Sequence, residues 1–247
     1  MAKTTPRLHL DAALAANAEI ALEREQSHYL VNVLRHGPGD PVQIFNSTDG
    51  EWLAYITDAT KKSVRIRIEK KLNDATPPPD IDYLFAPIKH QRLDYLVQKA
   101  TELGARRLRP IITSRTIAER VNLDRMRANV IEAAEQCNLV FLPEVLEPQK
   151  FDAVLKAWDP SRTLIFCDET ANVSDPLQAL EGLNPPLAVC VGPEGGFTED
   201  ERKHLKSLPF VTAIKLGPRI MRADTVAIAA LSLVQAKLGD WGSPYKS

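Results

Sequence analysis

The sequence predicts an α/β protein in two parts: a small β-barrel-like domain, then an open α/β sheet. Three observations predict this. ATPPPD (Ala75–Asp80) interrupts the chain with three prolines, which neither a helix interior nor a central strand accommodates. Ahead of it, apolar residues alternate as in strands; behind it, short apolar runs alternate with helical periodicity. The chain has 247 residues, 44% of them hydrophobic, enough for two packed cores and too apolar for global disorder. The break sets domain spans of 1–74 and 80–244.

In the first part, SHYLVNVLRH reads as a short helical piece. PVQIFNSTDGEWLAYITDA reads as strand, turn, strand, with Asp49-Gly50 as the hairpin signal. KSVRIRIEKKL places Val64, Ile66 and Ile68 on one side and Arg65, Arg67 and Glu69 on the other, the pattern of a half-buried strand. In the second part, DYLFAPI, RTLIFCDE, PLAVCVG and VTAIKLG suit buried parallel strands. KHQRLDYLVQKATELG aligns Leu93, Leu96, Val97, Ala100 and Leu103 on one helical stripe and ends at Gly104. LDRMRANVIEAAEQC puts Met126, Val130, Ala134 and Cys137 on one face. DTVAIAALSLVQAKL is apolar almost all round and needs cover on every side, from its own domain or a second subunit.

The charge balance excludes little: 31 basic against 32 acidic residues give a net charge of −1. Its distribution says more. Lys89, Arg92, Lys99, Arg106, Arg107, Arg109, Arg115, Arg120, Arg125 and Arg127 face only Asp94, Glu102, Glu119 and Asp124 in the same stretch. The plain reading is a solvated flank; the functional one is a phosphate-backbone track. The clustering favours the second. Three distant cysteines without C-x-x-C argue against a disulfide framework or a zinc site and for a reducing compartment. His28 and His36 have no further ligands at metal spacing, so no metal is expected. No apolar stretch has the length of a membrane span and the N-terminus lacks a leader pattern, so a soluble, cytoplasmic protein is expected.

Three turns follow strands: CDETANVS, GPEGGFT and GPRIMRADT. In open α/β sheets, ligands sit at the carboxyl ends of strands. One glycine turn alone is usually only a turn; three suggest a pocket. GPEGGFT lacks the Lys of a triphosphate loop and the G-x-G-x-x-G spacing of a dinucleotide loop. Thr198 and Glu201 form a capping box, and Glu199, Asp200 and Glu201 already complement the helix dipole. An anion there would be repelled, so the expected ligand is phosphate-free and neutral or cationic at its reactive centre. That disfavours a nucleotide-dependent α/β enzyme.

HYLVNVLRHGPGD, KHQRLDYLVQKATELG, AAEQC with PEV, VGPEGGFTEDE and LGPRIMRADTVAIAAL occur in this order over nearly the whole chain. Together they resemble the ribosomal RNA small-subunit methyltransferase E (RsmE) family of the SPOUT superfamily. The resemblance implies a PUA-like β-barrel that helps bind RNA, then a SPOUT-type α/β domain with a C-terminal trefoil knot, which general chain rules would not have suggested. It implies a homodimer and methyl transfer from S-adenosyl-L-methionine to N3 of a uridine in 16S rRNA, either free or in the assembled small ribosomal subunit. By the same resemblance Gly192, Pro193, Glu194, Gly195 and Gly196 form one cofactor loop, and Leu216, Gly217, Ile220, Met221 and Arg222 the other. Asp168 and Glu169 close the pocket.

The chemistry points to Arg222 for charge on the uracil oxygens, against a structural pair with Asp224 or Glu194. Glu194 or Glu169 is the candidate base. Arg35, Lys89, Arg92, Lys99, Arg125 and Arg127 are the expected RNA contacts; Arg35 packing at a domain interface is the plainer reading of that residue. Two departures stand out: the family's LRxETA is here MRADTV, and the Arg that commonly follows E-Q-[CST] is replaced within Asn138-Leu139-Val140. Asp224 is one methylene shorter than Glu, and Arg125 or Arg127 is the candidate substitute for the missing Arg. The alternatives are a non-catalytic PUA-like RNA-binding protein, or a SPOUT methyltransferase acting on a different RNA or atom.

Overall fold

A computed structural model describes residues 5–60, 62–117, 120–172 and 175–242. Glu119 of the charged stretch, Val173 and Ser174 of the first turn, and the extreme ends of both expected domain spans lie outside the described residues. The chain divides into two compact units: Met1–Pro77 with Ala134–Leu142, and Pro78–Ala133 with Pro143–Ser247.

The first unit holds five strands: β1 (Arg7–His9), β2 (Glu19–Ala21), β3 (Pro41–Asn46), β4 (Gly50–Ala59) and β5 (Val64–Asn73). They pair in the order β1-β3-β4-β5-β2, with only β1 parallel to its neighbour. The hairpin β3–β4 turns at Asp49-Gly50; Gly50 has φ +90°, and a Cβ there would strike the Asn73 carbonyl oxygen at 2.2 Å, so only glycine fits. Three register shifts along β4 and β5 increase twist and curl the sheet over one core. Val42, Ile44, Ala54, Ile56, Val64, Ile66 and Ile68 fill that core, and Arg65, Arg67 and Glu69 stay outside. The helical piece is α1 (Arg24–His28) followed by a π-helical turn (Tyr29–Val33), with Leu30 buried. Arg7 adds a polar anchor. Its guanidinium lies 3.7 Å from the Phe45 ring centroid, pairs with Glu51 at 2.5 Å and donates to the Ala134 and Leu139 carbonyls at 2.6 and 2.8 Å.

The second unit is a parallel sheet built from β6 (Ile81–Phe85), β7 (Arg107–Ile112), β8 (Glu144–Val145), β10 (Thr163–Cys167), β11 (Leu187–Val191) and β12 (Val211–Ile214). Their order is β12-β10-β11-β6-β7-β8, with the short β9 (Gln149–Lys150) also on β7. Both faces are covered, which is why β6 and β11 read as unbroken apolar runs. On one face α4 (Phe151–Lys156) and α6 (Glu199–Ser207) supply Phe151, Val154, Leu155 and Leu205 to a cluster with Leu84, Ile111, Phe166 and Phe197. Elsewhere α2 (His90–Glu102) packs against α7 (Ala223–Leu238), and α7 against β11. The buried amide of Gln235 on α7 donates to the Leu103 and Gly104 carbonyls at the end of α2. Gly104, at φ +72°, terminates α2 as its position implied.

Two expectations need correction. α3 (Leu123–Gln136) buries Met126, Val130 and Ala134, but it ends before Cys137, which is exposed rather than on the apolar face. Arg107 and Arg109 are also not part of a solvent-facing track. β7 places them against Asp82, whose side chain is fully buried, at 2.6 Å each; Arg107 and Arg162 pair with Asp80 as well. Removing a buried carboxylate from water is costly unless charge and hydrogen bonds compensate, so these arginines are structural partners of β6.

Candidate active site

A cavity of about 460 Å³ lies over the carboxyl ends of β10, β11 and β12. Each strand contributes the turn that follows it: Cys167–Glu169, Val191–Phe197 and Ile214–Arg222, with Ala223 and Val226 at the start of α7. This is where an open α/β sheet leaves space for ligands. The cavity brings together all eleven residues expected from the sequence to touch cofactor or perform chemistry. They are Glu169, then Gly192 to Gly196, then Leu216, Gly217, Ile220, Met221 and Arg222.

The local sequence builds each wall. Gly196 adopts φ +66° and its N–H closes a turn on the Pro193 carbonyl at 2.8 Å. Gly192 is required for another reason: a Cβ there would meet the Phe197 ring at 2.6 Å. Phe197 in turn packs on Phe151 and Phe166. Behind the turn, Thr198 caps α6, and Glu201 completes the capping box by accepting from the Thr198 N–H at 2.7 Å. Glu201 also accepts from the Ser114 N–H at 2.9 Å. Burial pushes its carboxyl up, but the hydrogen bonds from Ser114 and Thr198 prevail and hold it below its ordinary value. Arg115 donates to the Gly195 carbonyl at 2.8 Å, so the segment after β7 grips the glycine turn from both sides.

Charge within the cavity is organised around Asp168. Its side chain is fully buried, 2.6 Å from Lys206 Nζ, and accepts from the Thr170 N–H and hydroxyl. Burial raises its carboxyl, and Lys206 with Thr170 more than reverses that. Arg202 pairs with Glu169 at 3.0 Å and approaches Asp168 at 3.9 Å. Glu194 and Arg222 are exposed, and among the described residues no ion pair joins Arg222 to Asp224 or Glu194. Cys167 lines the cavity, but burial pushes its thiol up to about 12, which removes thiolate chemistry at neutral pH.

Of the expected RNA contacts, all but Arg35 lie on α2, its N-cap or α3, which the Arg125–Asp94 pair joins. Arg35 belongs to the first unit, exposed at φ +58°. Lys89 and Arg92 open α2 and line a second cavity. Lys99 pairs with Glu102, Arg125 with Asp94, and Arg127 with Asp124. Among the described residues no cluster could hold a metal ion and no helix is long and apolar enough to cross a membrane. Sequence reasoning missed Phe197, Arg202, Lys215 and Arg219 as cavity residues. A signal existed for Arg202: it follows the capping Glu201 directly, on the first turn of the helix behind the glycines.

Two family models match this chain: an RNA methyltransferase domain over residues 76–235 and an RNA methyltransferase PUA domain over residues 22–69. The fold and site thus define an RNA methyltransferase with a PUA unit ahead of its α/β domain. A ribosomal RNA small subunit methyltransferase E of Rickettsia conorii is 32% identical over 232 residues, 93% of this chain and 94% of that protein. The chain belongs to the ribosomal RNA small subunit methyltransferase E family. The crystal structure of the Neisseria gonorrhoeae enzyme of that name, bound to S-adenosyl methionine, superposes with a TM-score of 0.88 at 26% identity, covering 96% of this chain and all of the other. A methyltransferase of Legionella pneumophila in complex with the same cofactor gives 0.82 at 28% identity, covering 96% and 99%.

Proposed function

We propose that this chain transfers a methyl group from S-adenosyl-L-methionine to N3 of a uridine in 16S ribosomal RNA. The observation that carries the reading is the cavity over β10, β11 and β12, walled by a glycine turn that backs onto an acid-started helix. Its volume lies within the ~300–1,000 Å³ usual for small-molecule sites. Ile214, Leu216, Met221, Val226 and Phe197 offer apolar walls for a flat base, and Asp168, Glu169 and Glu194 offer carboxylates to hydroxyl and amine groups. Arg202, Lys215, Arg219 and Arg222 share the lining, so the fit to S-adenosyl-L-methionine rests on the apolar walls and the hydrogen-bonding groups rather than on net charge. The relatives whose structures contain S-adenosyl methionine support the same choice. When bound, the cofactor supplies an electrophilic methyl group on a positively charged sulfur.

The chain's own residues do the rest. Uracil N3 is a poor nucleophile while it carries its imide proton. Glu194, exposed at the cavity rim, accepts that proton; Glu169 is engaged with Arg202 and is the weaker candidate. Arg222, permanently charged and without a carboxylate partner among the described residues, stabilises the negative charge that spreads onto the flanking carbonyl oxygens. The target base is unstacked to reach the cavity rim at Glu194. α7 keeps Ile228, Ala229 and Leu233 only half-buried, which supports a second copy of the chain as their cover and a working homodimer. The cytoplasmic setting and the trefoil threading of the superfamily belong to the same proposal.

Mass mapping of methylated nucleosides in small-subunit RNA tests the reading. A strain lacking the gene should lose one 3-methyluridine, and restoring the gene should bring it back. Arg222→Ala should fail to restore it while binding the cofactor within about threefold of wild type. A chain that binds no S-adenosyl-L-methionine by calorimetry would instead be a non-catalytic RNA-binding protein.

A further inference from the structure

A second cavity, of about 670 Å³, opens over the carboxyl ends of β11, β6 and β7. Pro87 to Arg92 follow β6, Ile117 follows β7, and Glu194 follows β11. Glu194 also lines the first cavity, so the two adjoin at this residue. The strand order explains the arrangement. β11 stands between β10 and β6, one cavity lies to the β10 side, and the other lies to the β6 side.

The chemistry of the second cavity differs from that of the first. Lys89 and Arg92 supply two cations, and neither has an ion pair among the described residues, whereas Lys99, Arg125 and Arg127 are all paired. Pro87, Ile88 and Ile117 supply an apolar wall, and Ile117 is 70% exposed. Gln91 supplies an amide with both donor and acceptor. α2 carries no acid in its first turn, unlike α6. Cations, an apolar wall, a two-way amide and a neighbouring carboxylate together fit a nucleotide with its flanking phosphates.

We propose that this second cavity seats the nucleotide that is methylated: Lys89 and Arg92 hold its phosphates, Ile117 and Ile88 flank its base, and Gln91 reads the base edge. The proposal rests on the methyltransferase reading above. It places the acceptor and the methyl donor in adjoining cavities with Glu194 on the boundary. The phosphates lie at the cationic end, away from that carboxylate. Gln91 can donate to a carbonyl oxygen that flanks N3, which leaves N3 free to face Glu194 and the methyl donor.

The test compares wild type with Lys89→Ala/Arg92→Ala and Gln91→Leu, after each variant is shown to melt as wild type does. RNA affinity is read by filter binding to small-subunit RNA without cofactor, and cofactor affinity by calorimetry. The double variant should bind RNA at least tenfold more weakly. Its log K against log salt slope should shrink by about 0.7 per lost single-strand phosphate contact, with cofactor affinity within twofold of wild type. Lys89→Arg/Arg92→Lys should recover most of the RNA binding. A photo-crosslinking benzoylphenylalanine at Ile117 should capture the RNA segment that carries the methylated position. RNA affinity within twofold of wild type in the double variant, or a crosslink to a different segment, overturns the proposal. A wild-type chain that neither binds S-adenosyl-L-methionine nor methylates the RNA overturns the underlying reading instead, so the two failures are distinguishable.

Discussion

Gly192→Ala tests whether the glycine turn is shaped by the core beneath it. No backbone strain opposes alanine here, because Gly192 is not in the left-handed region. Space does. The new methyl carbon would lie 2.6, 2.9 and 3.3 Å from three carbons of the Phe197 ring, where carbon pairs prefer about 3.5–4.0 Å. One of the two must move by about 1 Å. Phe197 is almost fully buried, with ring centroids of Phe166 and Phe151 at 5.1 and 5.5 Å, so the turn yields rather than the ring. Overpacking of this kind costs about 1–3 kcal/mol. At about 2–4 °C per kcal/mol for a chain of this size, the melting temperature should fall by about 4–8 °C for a central cost of about 2 kcal/mol. Calorimetry should show cofactor affinity reduced at least tenfold, because the displaced turn is a wall of the cavity. Gly195→Ala is the control: its Cβ meets only Arg115, at 3.5 Å, an ordinary contact, and it should melt within about 1 °C of wild type. A Gly192→Ala protein that melts and binds like wild type would refute the reasoning.

Asp82→Asn should destabilise the second unit by about 3–5 kcal/mol, since it leaves Arg107 and Arg109 beside a neutral buried group. Chemical denaturation measures this, and a loss below about 1 kcal/mol would show that the arginines find other partners. Asp80, Asp168 and Glu201 all have carboxyls held below their ordinary values in the folded chain. Their stabilisation is therefore complete above about pH 5 and is lost as pH falls through the depressed values. Asp168→Asn should lower stability at pH 7 and flatten the acid limb of a pH titration of unfolding; an unchanged slope would count against this. Iodoacetamide at pH 8 should label Cys137 in the native protein and reach Cys167 and Cys190 only after unfolding, because burial pushes both thiols up. Native labelling at Cys167 would contradict a thiol held protonated by burial.

The strands of the second unit were legible where burial on both faces leaves an unbroken apolar run, as in IDYLF and LAVCV. β7 was not, because RLRPII alternates arginine with apolar residues and reads as surface charge. Its arginines point at Asp82 and Asp80, which lie about 25 residues earlier in the chain, and no local pattern records a pairing at that distance. β1 and β2 are three residues each, too short for any period to register. Residues 134–142 belong with the first unit because Arg7 bonds the Ala134 and Leu139 carbonyls, again a tertiary fact. The site was legible at its turns, since glycines, a capping box and acids lie close together in sequence. Arg202, Lys215 and Arg219 join the cavity only once β10 and β12 are neighbours.

The segment after β7 is tied to the glycine turn by Arg115 on the Gly195 carbonyl and to α6 behind it by the Ser114 N–H on Glu201. Ile117, the exposed wall of the second cavity, is two residues beyond that clasp. A guest that shifted the turn would pull on the segment that carries this wall. Linkage then works in both directions: whatever factor RNA changes the cofactor's affinity by, the cofactor must change RNA's by the same factor. Arg115→Ala would remove one of the two bonds and leave the Ser114 N–H on Glu201, so each chamber should still fill while the pull between them weakens.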